Sequence, residues 1–249
     1  MTTSSPPPRP KRLLITRPEE DAHPLAAELE DLGAEVLIEP MLTIRSVSGP
    51  TPDLAGVQAL LVTSANGLRA FAARSPERDL AVFAVGDGSA AKARQAGFGR
   101  VESAGGGVPE LAQLIGERLK PEGGPLLHVA GSRLAGDLGA RLKNLGFDCR
   151  RAVLYDAEPS QDLGAEALAA FAGNGLDGVL FFSPRTARAF VTLVEKAEMM
   201  ESCRVLAAFC LSPAVAAAAA ALPWGKIVSA DRPDQASMLT AVTSWMEQG

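Results

Sequence analysis

Hydroxyl side chains follow several apolar segments of this chain, at the points where each segment gives way to a helix-like stretch. A hydroxyl at such a junction can bind an anion together with the free backbone N–H groups and the partial positive charge of a helix N-terminus. The pattern therefore indicates a site for carboxylates that needs few Lys or Arg side chains. The junctions carry Thr16, Thr63, Ser64, Ser89, Gly131 with Ser132, Ser183 and Ser212.

The competing interpretation is that these residues are helix N-caps, a role for which Ser and Thr are common. At any single junction we favour the capping role over ligand binding. The recurrence of the junction along the chain favours a lined cleft, because parallel strands end at one edge of a sheet, where α/β proteins bind ligands.

Tyr155 is the only tyrosine of the chain, and it ends an apolar segment that begins near Cys149. Its phenol can donate a hydrogen bond at neutral pH without acting as a strong acid. A packed ring with a solvated hydroxyl is the alternative. The position at a junction between segments leaves both interpretations open.

A nucleotide-binding enzyme is a second possibility. The run Gly86-Asp87-Gly88-Ser89-Ala90-Ala91 fits G-x-G-x-x-A, and Glu102 follows at about the distance of a ribose-binding acid. We disfavour this interpretation, because the equivalent later segment, Ser212-Pro213-Ala214, lacks the glycines. Ser64 and Ser183 also lack the G-x-S-x-G context of a serine hydrolase.

His23 and His128 lie far apart in the sequence, with no residues nearby that would complete a catalytic set. We therefore predict structural roles for both. No spacing of Cys and His predicts a metal site. The odd number of cysteines, in apolar surroundings, predicts buried thiols and cytoplasmic residence.

The elements that position the candidate residues alternate between strand and helix. The segment Arg12–Thr16 predicts a strand, the spacing of Leu25, Leu29 and Leu32 predicts a helix, and Val36–Ile38 predicts a second strand. This order is typical of a βαβ unit with a parallel sheet.

The same pattern recurs later in the chain. Leu25, Leu29, Leu32 and Gly33 correspond without a gap to Leu138, Leu142, Leu145 and Gly146, and Leu134 extends the second stripe. Further pairs are the strands 59–64 and 178–183, the strands 81–85 and 205–211, and the helices 109–119 and 235–246. The duplication predicts an α/β fold with two doubly wound parallel-sheet domains and a site in the cleft between them.

Composition supports a soluble protein with sizeable cores, since 47% of residues are hydrophobic, 21% are charged and the net charge is −5. The absence of a basic excess argues against a nucleic-acid partner. No apolar run is long enough to cross a membrane. Residues 1–10 are rich in Ser and Pro and predict a disordered tail.

With these residues in view, the chain resembles the uroporphyrinogen-III synthase family from Arg12 onward. Each matching motif is weak alone, and the ordered set is specific. The matches are Thr16-Arg17-Pro18, Gly33, Pro40, Thr63-Ser64-Ala65-Asn66, Val85-Gly86, Ser89-Ala90, Gly97, Leu154-Tyr155, Phe182-Ser183-Pro184 and Ser212-Pro213.

The resemblance implies two domains joined by a two-stranded crossover. The implied boundaries are 11–39 with 161–249 for a discontinuous first domain, 46–150 for the second domain, and 40–45 with 151–160 for the crossover strands. A monomer is expected.

The resemblance also implies an activity: cyclisation of hydroxymethylbilane to uroporphyrinogen III with inversion of the last ring, without metal or cofactor. Tyr155 would assist departure of the substrate hydroxyl. The implied substrate contacts are Thr16, Arg17, Thr63, Ser64, Gly86, Ser89, Gly131, Ser183 and Ser212.

One segment departs from the family pattern. The family usually has a Thr shortly after the turn of its last third, whereas Ser212-Pro213-Ala214-Val215 has none. A hydroxyl contact from this loop is therefore in doubt, although Ser212 could partly replace it. The alternative function, from another class, is a non-catalytic two-domain protein that binds an anionic metabolite.

Overall fold

A computed structural model describes residues 9–133, 136–173 and 175–248. Most of the predicted tail, residues 1–8, and Leu134 of the predicted helix stripe lie outside the described residues. The chain divides into two compact units. Unit 1 comprises the chain up to Thr43 and from Pro159 onward, and unit 2 comprises Ile44–Glu158.

The strands of the described chain are short, except for one long strand before residue 160. They are β1 (Arg12–Ile15), β2 (Glu35–Ile38), β3 (Leu42–Ser46), β4 (Ala59–Val62), β5 (Ala81–Ala84), β6 (Val101–Ser103), β7 (Leu126–Gly131), β8 (Cys149–Pro159), β9 (Gly178–Phe181), β10 (Ala207–Cys210) and β11 (Lys226–Ser229).

Helices follow most of these strands. They are α1 (Glu19–Asp31), α2 (Ala65–Ala72), α3 (Asp87–Gln95), α4 (Val108–Arg118), α5 (Leu138–Asn144), α6 (Ala165–Ala172), α7 (Pro184–Lys196), α8 (Pro213–Ala219) and α9 (Gln235–Met246). Predicted strands that ran through Thr16, Ser64 and Ser183 end one or two residues earlier, so these hydroxyl residues lie just beyond the strands.

Unit 1 contains a five-stranded sheet in the order β11-β10-β9-β1-β2. All four neighbouring pairs are parallel. The strand order changes direction between β1 and β9, and such a switch point is where doubly wound sheets bind ligands. Apolar clusters cover both faces of the sheet, one around Phe181 and Phe190 and the other around Phe209 and Leu25.

Unit 2 contains a six-stranded sheet in the order β3-β8-β7-β4-β5-β6. The pairs from β8 to β6 are parallel, and the order changes direction between β4 and β7. Phe71 belongs to the cluster on one face and Phe83 to the cluster on the other. Burial of one such side chain contributes about 1.5–3 kcal/mol to stability. Each unit has such side chains on both faces of its sheet, as a doubly wound fold requires.

The predicted α/β class with two doubly wound parallel sheets is confirmed. The duplication also appears in backbone detail, because Gly33 and Gly146 end the matching helices α1 and α5 with the same φ of +86°. This left-handed conformation is readily adopted by glycine and disfavoured for other residues.

Two segments connect the units in sequence. β3 lies beside β8, and the Val47 N–H donates to the Leu154 carbonyl at 3.0 Å. The first part of β8, up to Tyr155, also pairs with β7. Residues 151–155, which we expected in the crossover, are therefore also members of the unit 2 sheet.

Candidate functional site

Thr63 and Ser64 lie at the carboxyl end of β4, beside the switch point of the unit 2 sheet. Ser64 is the N-cap of α2, and its hydroxyl accepts a hydrogen bond from the Asn66 N–H at 3.2 Å. The capping role considered for Ser64 is thus present. Both residues are only half-buried, so their hydroxyls also border solvent.

Gly67 allows α2 to approach β7 closely. A Cβ atom at this position would lie 2.4 Å from the carbonyl oxygen of Val129. Any larger residue would collide with this backbone. Glycine therefore permits the close packing of α2, whose first turn follows Thr63 and Ser64.

Thr63 pairs with His128. The threonine hydroxyl lies 2.9 Å from Nε2 of the imidazole, and His128 is only 4% exposed on β7. Burial, with a smaller contribution from the positive charge of Arg151, lowers the pKa of His128 to about 4. The ring is therefore neutral at physiological pH, and it can orient the Thr63 hydroxyl without contributing charge.

The pairing of Thr63 with His128 was not predicted from the sequence. Thr63 and His128 are 65 residues apart, and they meet because β4 and β7 are neighbours with Leu61 opposite His128. Only the strand order of the sheet could have revealed the contact. The predicted structural role of His128 agrees with its burial.

We predict that His128 makes the protein less stable in acid. In the unfolded chain the imidazole has its ordinary pKa, about 6.5, so the unfolded state binds the proton more tightly. Stability is then highest above pH 6.5 and falls by up to about 3 kcal/mol as the pH drops to 4. Denaturant unfolding of the wild type and of His128→Gln across this range measures the difference. Parallel stability curves would contradict the prediction.

Tyr155 lies against Gly131. The two residues are opposite each other in the register of β7 and β8, after a local irregularity between Ala130 and Gly131. A Cβ atom at Gly131 would be 2.8 Å from Cζ of the tyrosine and 3.1 Å from its hydroxyl oxygen. Gly131 therefore provides the space in which the phenol lies, and its direct contact with substrate stays a prediction.

The phenol ring is 9% exposed. Within the described residues, the Tyr155 hydroxyl has no hydrogen-bond partner, and it is not among the fully enclosed polar atoms. It can consequently donate to a molecule that reaches the carboxyl end of β7.

Side chains hold the loop that follows β7. Arg151 Nη2 donates to the carbonyls of Gly131 at 2.5 Å and Ser132 at 2.7 Å. The Ser132 hydroxyl donates to the Asp156 carboxylate. These bonds hold the backbone beside Tyr155, and no local pattern along the chain predicts them.

Gly86 and Ser89 lie at the start of α3, after β5. Gly86 is the N-cap. A Cβ atom added at Gly86 or at Gly88 would meet no other atom within 4 Å. Ser89 is half-buried, and its hydroxyl has no partner in the described part of the chain. This helix N-terminus can therefore accept an anion.

The nucleotide-binding interpretation gains no support from this region. Glu102, the proposed ribose ligand, forms an ion pair with Arg118, with Oε2 and Nε 2.7 Å apart.

Thr16 and Arg17 lie at the carboxyl end of β1 in unit 1. Thr16 is fully buried, and its hydroxyl donates to the Leu180 carbonyl at 2.6 Å, which ties β1 to β9. Arg17 stacks over the ring of Phe182 at 4.3 Å and donates to the Gln235 side chain at 2.9 Å. Of the two, Arg17 is the one with a solvent-accessible polar group.

Ser183 and Ser212 each lie two residues beyond the neighbouring strands β9 and β10. Ser183 caps α7 by accepting from the Thr186 N–H at 3.1 Å. Ser212 is the N-cap of α8 without a side-chain capping bond, so its hydroxyl remains available. Val215, where the family pattern led us to expect a hydroxyl nearby, is 2% exposed and packs in the core.

The structure thus places the candidate residues at the carboxyl edges of the two sheets, each set within its own unit. Unit 1 carries Thr16, Arg17, Ser183 and Ser212, and unit 2 carries Thr63, Ser64, Gly86, Ser89, Gly131 and Tyr155. Among the described residues, no group of three or more His, Cys, Asp or Glu is placed to hold a metal ion. No described helix is long and apolar enough to span a membrane.

The fold and these edges define a duplicated, doubly wound α/β protein with hydroxyl groups and helix N-termini at its strand ends. A family model described as uroporphyrinogen-III synthase HemD matches residues 23–240. The chain belongs to the uroporphyrinogen-III synthase family.

Individual proteins that are similar to this chain carry the same family name. A uroporphyrinogen-III synthase of Chlorobaculum parvum is 25% identical over 213 residues, which cover 79% of this chain and 85% of the relative. The crystal structure of uroporphyrinogen-III synthetase from Helicobacter pylori has a TM-score of 0.60 at 17% identity and covers 94% of this chain and 99% of that one. A mutant synthase from Thermus thermophilus has a TM-score of 0.57 at 17% identity, covering 96% and 100%.

Proposed function

We propose that this chain is a uroporphyrinogen-III synthase, a lyase-class cyclase of tetrapyrrole biosynthesis, in which Tyr155 and the strand-end residues form the site. The family match over residues 23–240 carries the activity. The placement of Tyr155 on Gly131, with its hydroxyl free at the carboxyl edge of unit 2, supports the assignment of the site.

The reaction converts hydroxymethylbilane into uroporphyrinogen III and water. Loss of the terminal hydroxyl gives an electrophilic azafulvene, which the substituted carbon of the last ring attacks through a spiro intermediate. Tyr155 donates a hydrogen bond to the departing hydroxyl. Because the pyrroles are electron-rich, the protein contributes mainly by holding the folded chain in the geometry that leads to inversion.

Helix N-termini and hydroxyl groups bind the acetate and propionate carboxylates. Each helix N-terminus contributes about 0.3–1 kcal/mol to binding of an anion at an exposed site. The free hydroxyls of Ser89 and Ser212 and the guanidinium of Arg17 are the most accessible donors, followed by the capping residues Ser64 and Ser183. Thr63, held by His128, belongs to the strand-end edge of unit 2, and the buried Thr16 supports the strand-end edge of unit 1.

Product analysis tests the function. The purified protein, incubated with freshly made hydroxymethylbilane, should give mainly the type III isomer, whereas spontaneous closure gives type I. An unchanged type I fraction would reject the activity. Tight binding of the bilane without turnover would instead support the non-catalytic binding protein.

Tyr155→Phe should slow turnover about tenfold, equivalent to about 1.4 kcal/mol, and retain type III product. The effect is smaller than the roughly 10²–10⁴-fold of an essential general acid, because hydroxymethylbilane already closes spontaneously. Single-turnover rates and isomer ratios measure both effects. An unchanged rate would show that Tyr155 is a packing residue. A switch to type I product with intact substrate binding would show that the Tyr155 hydroxyl directs ring inversion.

The organisation around this function also forms part of the proposal. We assign domains to residues 11–39 with 161–249 and to 46–150, with 40–45 and 151–160 as connecting strands, in a monomer. The thiols of Cys149, Cys203 and Cys210 are free, and burial raises the pKa of each. Free thiols support residence in a reducing compartment such as the cytoplasm.

A further inference from the structure

A cavity of about 410 Å³ lies in unit 1 along the edge strand β11 and the helix α9. Its lining includes Lys226, Val228 and Ser229 of β11, and Thr240, Ser244 and Trp245 of α9. We call this cavity the β11–α9 groove. Its volume is within the usual range for small-molecule sites, roughly 300–1,000 Å³, and no candidate residue of the cyclase site lines it.

The duplication shows how the residues of unit 1 differ from those of unit 2 at the place where the groove lies. In unit 2, Glu102 of β6 lies opposite Phe83 of β5, and in unit 1 Val228 lies opposite Phe209, the equivalent residue of β10. Val228 therefore occupies the position of Glu102.

The helices extend this comparison. Counted from the N-caps Gly107 of α4 and Asp234 of α9, Arg118 and Trp245 occupy the same position. In unit 2 the ion pair between Glu102 and Arg118 bridges strand and helix. In unit 1 the equivalent residues are Val228 and Trp245, which cannot form such a bridge, and the groove lies beside them.

Polar groups in the groove are mainly donors without partners. Within the described chain, neither the Lys226 ammonium, the Trp245 indole N–H nor the hydroxyls of Ser229 and Ser244 have a hydrogen-bond or ion-pair partner. Lys226 and Trp245 come from adjacent walls of one cavity, together with the apolar side chain of Val228. Asp231 is the one carboxylate of the lining, so donors predominate.

We propose that the β11–α9 groove binds a small organic oxyanion. The carboxylate or phosphate head accepts hydrogen bonds from Lys226, the indole N–H of Trp245 and Ser244. A flat apolar body packs on Val228 and on the part of the Trp245 ring that is not covered by Lys11, whose ammonium lies 5.1 Å from the ring centre, or by Phe209. Charge-assisted hydrogen bonds to an ammonium are stronger than neutral ones, so Lys226 provides most of the selectivity for anions.

The indole N–H signals provide a direct test, since the chain has two tryptophans. The Trp224 N–H donates to the Ala219 carbonyl at 2.8 Å, whereas that of Trp245, a residue that lines the groove, has no hydrogen-bond partner in the described chain. In ¹⁵N-correlated NMR spectra, benzoate or phenyl phosphate should shift the Trp245 signal saturably and leave Trp224 in place. Trp224→Phe assigns the two signals.

Variants and probes make the test specific. Lys226→Met should weaken binding about tenfold, while Lys143→Met, an exposed lysine of unit 2, should leave it unchanged. Benzamide, which lacks the charge, should not bind, and the stronger of the two anions identifies the preferred head group.

A Trp245 signal that stays fixed with both anions would overturn the proposal, as would equal affinity for Lys226→Met and wild type. The readout is binding alone, so it is independent of the proposed cyclase activity.

Discussion

Gly131→Ala should lower kcat by between tenfold and a hundredfold and leave the fold largely intact. The new Cβ would lie 2.8 Å from Cζ and 2.9 Å from Cε2 of Tyr155, whereas carbon atoms in contact are about 3.5–4.0 Å apart. The ring must therefore move by about 1 Å, and displacements of that size can cost about a hundredfold in rate. Single-turnover kinetics with hydroxymethylbilane measure the effect.

A double-mutant cycle separates this mechanism from general damage. In a Tyr155→Ala background the ring is absent, so Gly131→Ala should add little to the loss already present. Gly99→Ala is the matched control, because its Cβ would meet no atom within 4 Å and the residue lies outside the candidate site. Equal effects of Gly131→Ala in both backgrounds would show that the glycine acts independently of the phenol.

Gly67→Ala should give the largest loss of stability, about 3 kcal/mol or more. Its Cβ would lie 2.4 Å from the Val129 carbonyl oxygen and 3.1 Å from the carbonyl carbon. A backbone obstacle cannot change rotamer, so α2 must move away from β7 or the sheet must distort. The midpoint of denaturant unfolding measures the loss of stability. Hydrogen exchange then shows whether the loss is located in unit 2.

Gly88→Ala is the control for stability and should be neutral or stabilising by up to about 1 kcal/mol, since its Cβ would meet no atom within 4 Å and alanine favours helix. Gly67→Ala should also reduce activity, because α2 begins directly after Thr63 and Ser64. If Gly67→Ala were as stable as the wild type, α2 could move away from β7 at little cost in folding free energy.

The fold class was accessible from sequence because its signals are local. Leu25, Leu29 and Leu32 repeat as Leu138, Leu142 and Leu145, and a glycine ends each helix. Local patterns could not give the ends of strands, because a strand ends where its neighbours stop pairing. The strand expected at 59–64 ends at Val62, and the hydroxyl residues that follow serve at the helix start.

The candidate site was accessible only in part. The approximate positions where strands give way to helices can be recognised along the sequence, and Thr63, Gly86 and Ser212 were predicted in this way. The contacts that orient these residues connect distant segments: Thr63 with His128, and Gly131 with Tyr155 and Arg151. Such contacts depend on strand order and register. The buried Thr16 hydroxyl could not be distinguished from an exposed one for the same reason.

The discontinuity of unit 1 has a consequence for the order of folding. The bond between Thr16 and Leu180 closes a loop of 164 residues, while unit 2 is continuous and can fold as soon as it has been synthesised. Once folded, unit 2 holds Arg45 and Glu158 together across 113 residues. The remaining loop is then about 50 residues long, and the entropic cost of closing it falls by about 1 kcal/mol. Folding of unit 2 thus brings the two segments of unit 1 together. Substitutions that slow the folding of unit 2 should therefore delay the docking of β1 onto β9.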